Sequence, residues 1–225
     1  MTDAARLLDR LVRVYAAARD QDRAVHATAY MRGQFPFLGL DMATLRRLTR
    51  TATAGLPRPD EATLRTVALA CWELPEREYQ YFACGWLRAH GRVLGPGSLP
   101  TLRTLLTTKS WWDTVDPLAT RVVGDLVRRF PALTAEMDAW SAHGDMWLVR
   151  TAILHQLHYG TATDTVRLFG YCSRQAGHRD FFVRKAIGWA LRHYARTDPD
   201  AVRRYVDENR HRLSPLSVRE ATKHL

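Results

Sequence analysis

Cysteine is scarce in this sequence, and its few cysteines do not form a recognisable motif. Cys71, Cys84 and Cys172 are odd in number and include no CxxC pair. They lie in apolar or mixed segments, so we interpret them as reduced structural thiols and not as a disulfide framework or zinc site. This cysteine usage is typical of a cytoplasmic protein.

Long apolar runs and cofactor motifs are also absent from the sequence. No stretch approaches the ~18 consecutive apolar residues of a transmembrane helix, and no apolar run follows residues 1–6 as in a secretory signal. Neither GxxxxGK nor GxGxxG occurs, which argues against a nucleotide cofactor. His155 and His158 have no third ligand nearby in the sequence, which argues against a metal site. We therefore expect no membrane partner, no metal and no cofactor.

Lysine is rare, although the chain is strongly basic. Lys109, Lys185 and Lys223 are the only lysines among 33 basic residues, which exceed 23 acidic residues to give a net charge of +10. This excess favours a nucleic-acid or anionic-membrane partner. Guanidinium groups bind phosphate bidentately, so the dominance of arginine is compatible with contacts to a nucleic-acid backbone. A coding bias towards arginine would produce the same composition.

Strand patterns are missing, whereas helical periodicity runs through the chain. No segment alternates strictly between apolar and polar residues. Apolar residues recur every three to four positions, which predicts an all-α protein with one domain over residues 1–225, and Asp41 and Asp60 are predicted to begin helices. Helices are predicted over residues 3–18, 22–31, 41–49, 60–73, 74–87, 100–106, 118–130, 133–140, 147–157, 163–173, 181–194, 199–209 and 215–223.

The predicted helices repeat with a period in the thirties. The run Trp147–Leu154 aligns with Phe181–Gly188, which places Arg150 and Arg184 34 residues apart. Two helices in each unit predict an α-solenoid of HEAT-like repeats, whose inner helices line a concave, basic face.

Stacking of these units should bring residues that are distant in sequence close together. The aromatic residues that open the inner helices are expected to lie side by side, namely Tyr79, Trp111, Trp147 and Phe181. The same stacking predicts that four further residues are neighbours, namely Trp112, Asp116, Arg150 and Arg184. Glycines inside the predicted helices are interpreted as close-packing sites, namely Gly85, Gly124 and Gly188.

Segment 109–116 (KSWWDTVD) combines two tryptophans, two carboxylates and a lysine. Ser110 and Asp113 have the spacing of a capping box, which predicts that a helix begins here. Trp112 and Asp116 are four residues apart and would share a face of that helix. A carboxylate beside an aromatic residue suits a polyanionic partner that carries a positive charge where chemistry occurs. Packing of Trp112 in the core and capping by Asp116 would explain the same pattern.

Several short runs, in order along nearly the whole chain, carry a resemblance to a known family. They are Tyr30–Arg32, Phe37–Gly39, Trp72–Glu78, Thr108–Asp113, Asp116, Trp147–Leu148, Arg150, Ala152–Leu154, Lys185–Trp189, Leu213–Ser217 and Arg219–Ala221. With these runs the chain resembles the AlkD-type DNA glycosylases, HEAT-like repeat enzymes that excise alkylated purines.

The resemblance implies a function and a set of site residues. It implies hydrolysis of the N-glycosidic bond of cationic N3- and N7-alkylpurines in double-stranded DNA, without a metal, to leave an abasic site. Some family members remove bulky adducts, so self-resistance to a DNA-alkylating natural product is compatible with it. The implied catalytic residues are Trp112, Asp116 and Arg150. The residues expected to bind DNA or the lesion are Tyr30, Lys109, Arg184, Lys185 and Trp189.

One departure from the family pattern and several alternatives accompany this hypothesis. Pro117 directly follows Asp116, where it would kink the helix and re-aim the carboxylate. Arg150 and Arg184 could instead bridge helices, and Trp189 could belong to the core. A non-catalytic DNA- or RNA-binding repeat protein and a protein-interaction scaffold are the competing functions. We expect a cytoplasmic monomer that associates with the nucleoid when it is on DNA.

Overall fold

The computed structural model describes residues 2–225, and every regular element in that range is helical. The all-α class is therefore confirmed. No helix in the described range is long and apolar enough to cross a membrane. The chain divides into two compact units, Met1–Thr101 and Leu102–Leu225, so the single domain over residues 1–225 stays a prediction.

The helices of the two units follow one another with short connections. Unit 1 contains α1 (Asp3–Ala16), α2 (Gln21–Tyr30), α3 (Met42–Thr53), α4 (Glu61–Glu73) and α5 (Arg77–His90), and the boundary between units falls inside α6 (Leu99–Thr107). Unit 2 contains α7 (Trp112–Pro117), α8 (Gly124–Arg129), α9 (Thr134–Trp140), α10 (Met146–Leu154), α11 (Thr165–Arg174), α12 (Phe181–Tyr194), α13 (Pro199–Asn209) and α14 (Pro215–Ala221).

Aspartate N-caps set the starts of many of these helices. In each case the side-chain carboxylate accepts a hydrogen bond from a backbone N–H of the first turn, which otherwise has no partner inside the helix. The predicted caps Asp41 and Asp60 are confirmed. The other aspartate caps are Asp20, Asp145, Asp164, Asp180 and Asp198.

Unit 1 is built around α1, which packs against α3 and α4. Tyr15 is fully buried; its hydroxyl lies 2.9 Å from the Thr49 hydroxyl, and its ring stacks on Tyr79 at 5.7 Å between centroids. Tyr79 therefore belongs to the core of unit 1.

A buried carboxylate fixes the loop between α2 and α3. Glu78 accepts hydrogen bonds from the backbone N–H groups of Leu38, Gly39 and Leu40 at 2.9, 2.8 and 3.1 Å. Gly39 has a φ of 86°, and a Cβ there would collide with the Asp20 carbonyl, so only glycine fits. The carboxylate of Glu78 thus shapes a loop, in addition to its place in the first turn of α5.

In unit 2 the inner helices stack side by side, as in an α-solenoid-like fold. α10 packs against α7, the residues that follow α7, and α12, and α12 packs against α14. The rings of Trp111, Trp147 and Phe182 form one cluster, with centroids 4.9 to 6.1 Å apart. The predicted meeting of aromatic helix openings therefore holds for Trp111 and Trp147, but Phe182 takes the place predicted for Phe181.

Two of the three predicted close-packing glycines have that role. A Cβ on Gly124 would collide with the His155 carbonyl, and a Cβ on Gly188 would meet the Glu220 side chain and lie 2.9 Å from the Ser217 carbonyl oxygen. A Cβ on Gly85 would have nothing within 4 Å, so that prediction is wrong. Gly85 is an exposed residue on α5, away from any helix contact.

Candidate active site

The short helix α7 carries the first part of the site. Lys109 adopts a left-handed φ of 47°, which ends α6 and turns the chain. The predicted capping box is wrong, because the Ser110 hydroxyl donates instead to the Leu106 carbonyl at 2.7 Å. Trp111 occupies the N-cap position without a side-chain cap, and α7 begins at Trp112.

Asp116 and Arg150 form a two-point ion pair inside unit 2. The Nε and Nη2 atoms of Arg150 donate to Oδ1 and Oδ2 of Asp116, each at 2.7 Å. The side chain of Asp116 is 15% exposed and that of Arg150 is 5% exposed. This paired geometry fixes the orientation of the carboxylate and leaves part of it open to a ligand.

The third nitrogen of Arg150 is also bound, since Nη1 donates to the Phe182 carbonyl. The guanidinium group therefore links α7, α10 and α12. A direct contact between Arg150 and a DNA phosphate would require a rearrangement of these hydrogen bonds. In the observed geometry Arg150 holds Asp116, as a helix-bridging arginine would.

Burial and charge act in opposite directions on the Asp116 carboxyl. Burial raises its pKa above the ordinary value, and the hydrogen bonds and charge of Arg150 partly offset this effect. The nearby charge of Asp113 adds to the increase. A carboxylate with a raised pKa that remains paired with a cation is suited to accept a proton or to stabilise a neighbouring positive charge.

The chain after Asp116 leaves the α-helical pattern. Residues Leu118–Val123 form a π-helical stretch directly after Pro117, where the sequence predicted one α-helix over 118–130. Pro117 lacks an N–H donor, and the Thr120 hydroxyl donates to the Asp116 carbonyl at 2.8 Å. The proline therefore does not prevent the Asp116 carboxylate from reaching Arg150.

These residues open into a cleft of about 300 Å³. Its walls combine the Asp116–Arg150 ion pair, aromatic rings and further charged side chains. The lining residues are Trp112, Asp116, Arg150, Phe181, Phe182, Lys185, Trp189, Arg192 and Glu220. Phe181 is 54% exposed and lies at the rim. The cleft can therefore offer both flat apolar surfaces and charged groups to one ligand.

A second ion-pair group lies in the same cleft. Glu220 accepts from Lys185 Nζ at 2.8 Å through Oε1 and from Arg192 Nη1 at 2.6 Å through Oε2. Hydrogen bonding from Lys185, then from Arg192, lowers the pKa of the Glu220 carboxyl below its ordinary value. Glu220 therefore remains ionised near neutral pH.

The structure brings together five of the residues predicted from the sequence, and places three elsewhere. The residues that share the cleft are Trp112, Asp116, Arg150, Lys185 and Trp189. Arg184 does not line it, because its Nε donates to the His178 carbonyl at 2.7 Å. Lys109 lies in the exposed turn before α7. Tyr30 lies in unit 1, where it is 72% exposed and borders a different cleft of about 370 Å³.

Sequence reasoning missed four residues of this cleft, namely Phe181, Phe182, Arg192 and Glu220. A signal for two of them was present, since Phe181, Lys185, Trp189 and Arg192 recur at spacings of four, four and three along α12. Such spacing puts them on one face of the helix. Glu220 had no such signal, because it reaches the cleft from another helix.

A repeated cap also escaped the sequence alignment. His143 accepts from the Asp145 N–H through Nδ1 at 2.9 Å, and His178 accepts from the Asp180 N–H in the same way at 3.0 Å. Asp145 and Asp180 then cap α10 and α12. The same His-x-Asp turn therefore precedes both helices, with Trp147 and Phe182 each two residues after the capping aspartate.

The two histidines considered above as metal ligands have protein partners. His155 is buried, with Nδ1 2.7 Å from the Ala152 carbonyl, and His158 packs edge-to-face against His193 at 5.3 Å between centroids. Within residues 2–225 no group of three or more His, Cys, Asp or Glu side chains could hold a metal ion.

Fold and cleft together define an all-α protein with an arginine-paired carboxylate in an aromatic and cationic cleft. A family model described as DNA alkylation repair enzyme matches residues 11–225, and the chain belongs to this family. No curated relative matches the chain. A solved structure from Enterococcus faecalis, described as a predicted DNA alkylation repair enzyme, is similar with a TM-score of 0.85 and 26% identity, over 92% of this chain and 96% of that chain.

Proposed function

We propose that the protein is a DNA glycosylase that hydrolyses the N-glycosidic bond of cationic N3- and N7-alkylpurines in double-stranded DNA. The observation that supports this most directly is the two-point pair of Asp116 and Arg150 in an aromatic cleft. The proposal requires no metal or cofactor and is compatible with a monomer.

The reaction needs an anion beside the sugar more than it needs activation of the leaving group. An alkylated purine carries a positive charge and departs as a neutral base when the C1′–N bond breaks and its electron pair moves to the base. The sugar is left with oxocarbenium character. Asp116 would stabilise that charge and orient a water, whose oxygen bonds to C1′ while its proton passes to the carboxylate or solvent.

The aromatic residues of the cleft fit the same step. Trp112 and Trp189 line the same cleft as the Asp116–Arg150 pair and are both half-buried. A cationic sugar or base held over an indole face gains about 0.5–2 kcal/mol. The two tryptophans would therefore stabilise the charged lesion and the transition state together with Asp116.

The size of the cleft bears on the range of lesions. The lining residues include the exposed ring of Phe181 at the rim, so the cleft is open on one side. An open cleft places no wall where a large substituent on the purine would project. We therefore include bulky adducts among the proposed substrates, and with them a role in self-resistance to a DNA-alkylating natural product.

The first experiment is release of the base from a duplex that carries a single N7-methylguanine. The wild type should release it, and Asp116→Asn should bind the duplex but excise about 100-fold more slowly or worse, because the anion beside the sugar is lost. Asp207→Asn is the matched control, since Asp207 is an exposed residue of α13 and the charge change is the same. Its rate should equal that of the wild type.

The same assay separates the competing functions. Full binding without base release from N7-methylguanine or from a duplex with a bulky N3-adenine adduct would favour a non-catalytic DNA-binding protein. Absence of salt-dependent DNA binding would favour a protein-interaction scaffold. Unchanged excision by Asp116→Asn would exclude the role proposed for that carboxylate.

A further inference from the structure

The cleft holds a second carboxylate, Glu220, that the chemistry above does not use. One oxygen binds Lys185 and the other binds Arg192, at 2.8 and 2.6 Å. The Glu220 side chain is 15% exposed, whereas those of Lys185 and Arg192 are 38% and 22% exposed. The carboxylate therefore lies beneath the two cations, which remain accessible from the cleft.

This arrangement depends on the close approach of α14 to α12. Gly188 lies between Lys185 and Arg192 on α12, at the point where a Cβ would collide with Glu220. One turn before Glu220 on α14, the buried Ser217 hydroxyl donates to the Arg184 carbonyl at 2.9 Å and fixes α14 against α12. Lys185 and Arg192 are seven residues apart, about 10 Å along the helix axis, and Glu220 binds both from between them.

The charges of the cleft specify the kind of ligand that these cations would bind. Asp116 and Arg150 neutralise each other, and Glu220 neutralises one of the charges of Lys185 and Arg192. Among the residues that line the cleft, a net charge of +1 remains. Lysine has three N–H donors and arginine five, and Glu220 occupies one of each, so both side chains keep donors for a further anion. A single phosphodiester matches this charge and these donors.

We propose that Glu220 is a positioning residue that aims Lys185 and Arg192 at one phosphodiester of the DNA strand, next to the nucleotide held in the cleft. This inference rests on the proposed function for the identity of the ligand. Loss of the Glu220 charge would make the net charge of the cleft more positive by one unit but would let Lys185 and Arg192 separate. Affinity for DNA would then stay the same or rise, while selectivity for one phosphate position would disappear.

The test measures binding, so that it does not depend on catalysis. The full-length protein is titrated with duplexes that carry a tetrahydrofuran abasic analogue and one neutral methylphosphonate at each flanking phosphate in turn. In the wild type, one position should weaken binding about tenfold and the others little, because one charge-assisted contact is removed. Lys185→Met and Arg192→Met should each show a smaller loss at that position, because the contact is already weakened. Lys223→Met is the matched control for the lysine change, since Lys223 is exposed near the chain end.

Glu220→Gln is the decisive variant, and Glu208→Gln, an exposed residue of α13, has the same change in charge. The position-dependent loss should vanish in Glu220→Gln and persist in Glu208→Gln, with both proteins folded as judged by thermal unfolding. An unchanged profile in Glu220→Gln would overturn the inference, as would a wild type with no sensitive phosphate. Absence of base excision with an intact phosphate profile would instead count against the glycosylase function alone.

Discussion

At the scale of single residues, the ionisation of Asp116 governs what the cleft can do. Its pKa is raised by burial and held down by Arg150. A carboxyl with a raised pKa is protonated at low pH and gains its charge as the pH increases. The proposed chemistry needs the charged form, so excision should be slow in acid and should accelerate as Asp116 ionises.

Removal of Arg150 should displace this pH dependence in a defined direction. Arg150→Met eliminates the hydrogen bonds and the charge that lower the pKa of Asp116, so the midpoint of the rate profile should move to higher pH. Arg150→Lys retains the charge without the two-point geometry, so its midpoint should lie between those of the wild type and Arg150→Met. Single-turnover excision across a pH series measures the midpoint, and a shift to lower pH would contradict this expectation.

His155 provides a second effect of burial, on stability. Burial lowers the pKa of its imidazole to about 4, whereas the unfolded chain has a pKa of about 6.5. Between these values the unfolded state binds a proton that the folded state does not, so stability is lost as the pH falls from about 6.5 to about 4. The loss should approach about 1.4 kcal/mol for each pH unit in this window.

Denaturant unfolding at several pH values tests this, with two variants for comparison. His155→Gln retains a donor towards the Ala152 carbonyl but cannot titrate, so its stability should depend less on pH in that window. His211→Gln removes an exposed histidine and should retain the dependence of the wild type. Equal slopes for all three proteins would show that His155 is not the group responsible.

At the scale of helices, the contact of α12 with α14 depends on Gly188. Gly188→Ala should destabilise the protein by about 2 kcal/mol, because the added Cβ meets both the Glu220 side chain and the Ser217 backbone. Gly170→Ala in α11 is the matched control, since Gly170 is exposed with nothing within 4 Å of an added Cβ. That variant should be more stable by about 0.5–1 kcal/mol. Thermal unfolding of both variants decides the point, and equal stabilities would contradict it.

The helices themselves could largely be predicted from the sequence. Apolar periodicity located them, and aspartate caps such as Asp41 and Asp60 marked their starts. The π-helical stretch after Pro117 could not be predicted, because more than one hydrogen-bond pattern can accommodate the backbone donor that a proline lacks. The capping box at Ser110 failed for a similar reason, since the hydroxyl found a carbonyl in the preceding helix.

The site was predictable where residues share a helix face or occupy equivalent repeat positions. Trp112 and Asp116 met the first condition, and Arg150 followed from the resemblance and from the repeat. Arg184 aligns with Arg150 at a spacing of 34 residues, but the cap turns of α10 and α12 are 35 residues apart, so Lys185 is the residue that corresponds to Arg150 in the structure. Arg184 instead binds a carbonyl of its own cap turn. Glu220 depends on the tertiary approach of α14, and nothing in its local sequence indicates that approach.

At the scale of the whole molecule, the excess of 33 basic over 23 acidic residues should govern the DNA binding that the proposed function requires. Each phosphate that the protein neutralises adds about 0.9 to the slope of log affinity against log salt. We therefore expect a steep loss of duplex affinity, about tenfold or more between roughly 50 and 200 mM salt. Titrations at several salt concentrations measure it, and affinity that does not change with salt would contradict binding through the phosphate backbone.

The hydrogen bonds of Arg150 have a consequence for how the site is lost on heating. They join α7, α10 and α12, so the carboxylate is correctly held only while all three helices are folded and stacked at once. In helical arrays, stability is divided among neighbouring contacts, and segments can open separately. The fraction of molecules with an intact site equals the probability that all three segments are folded at the same time. The helix content measured on the sample is instead the average over all segments. On heating, the proposed base excision should therefore be lost at a lower temperature than the helical signal in circular dichroism.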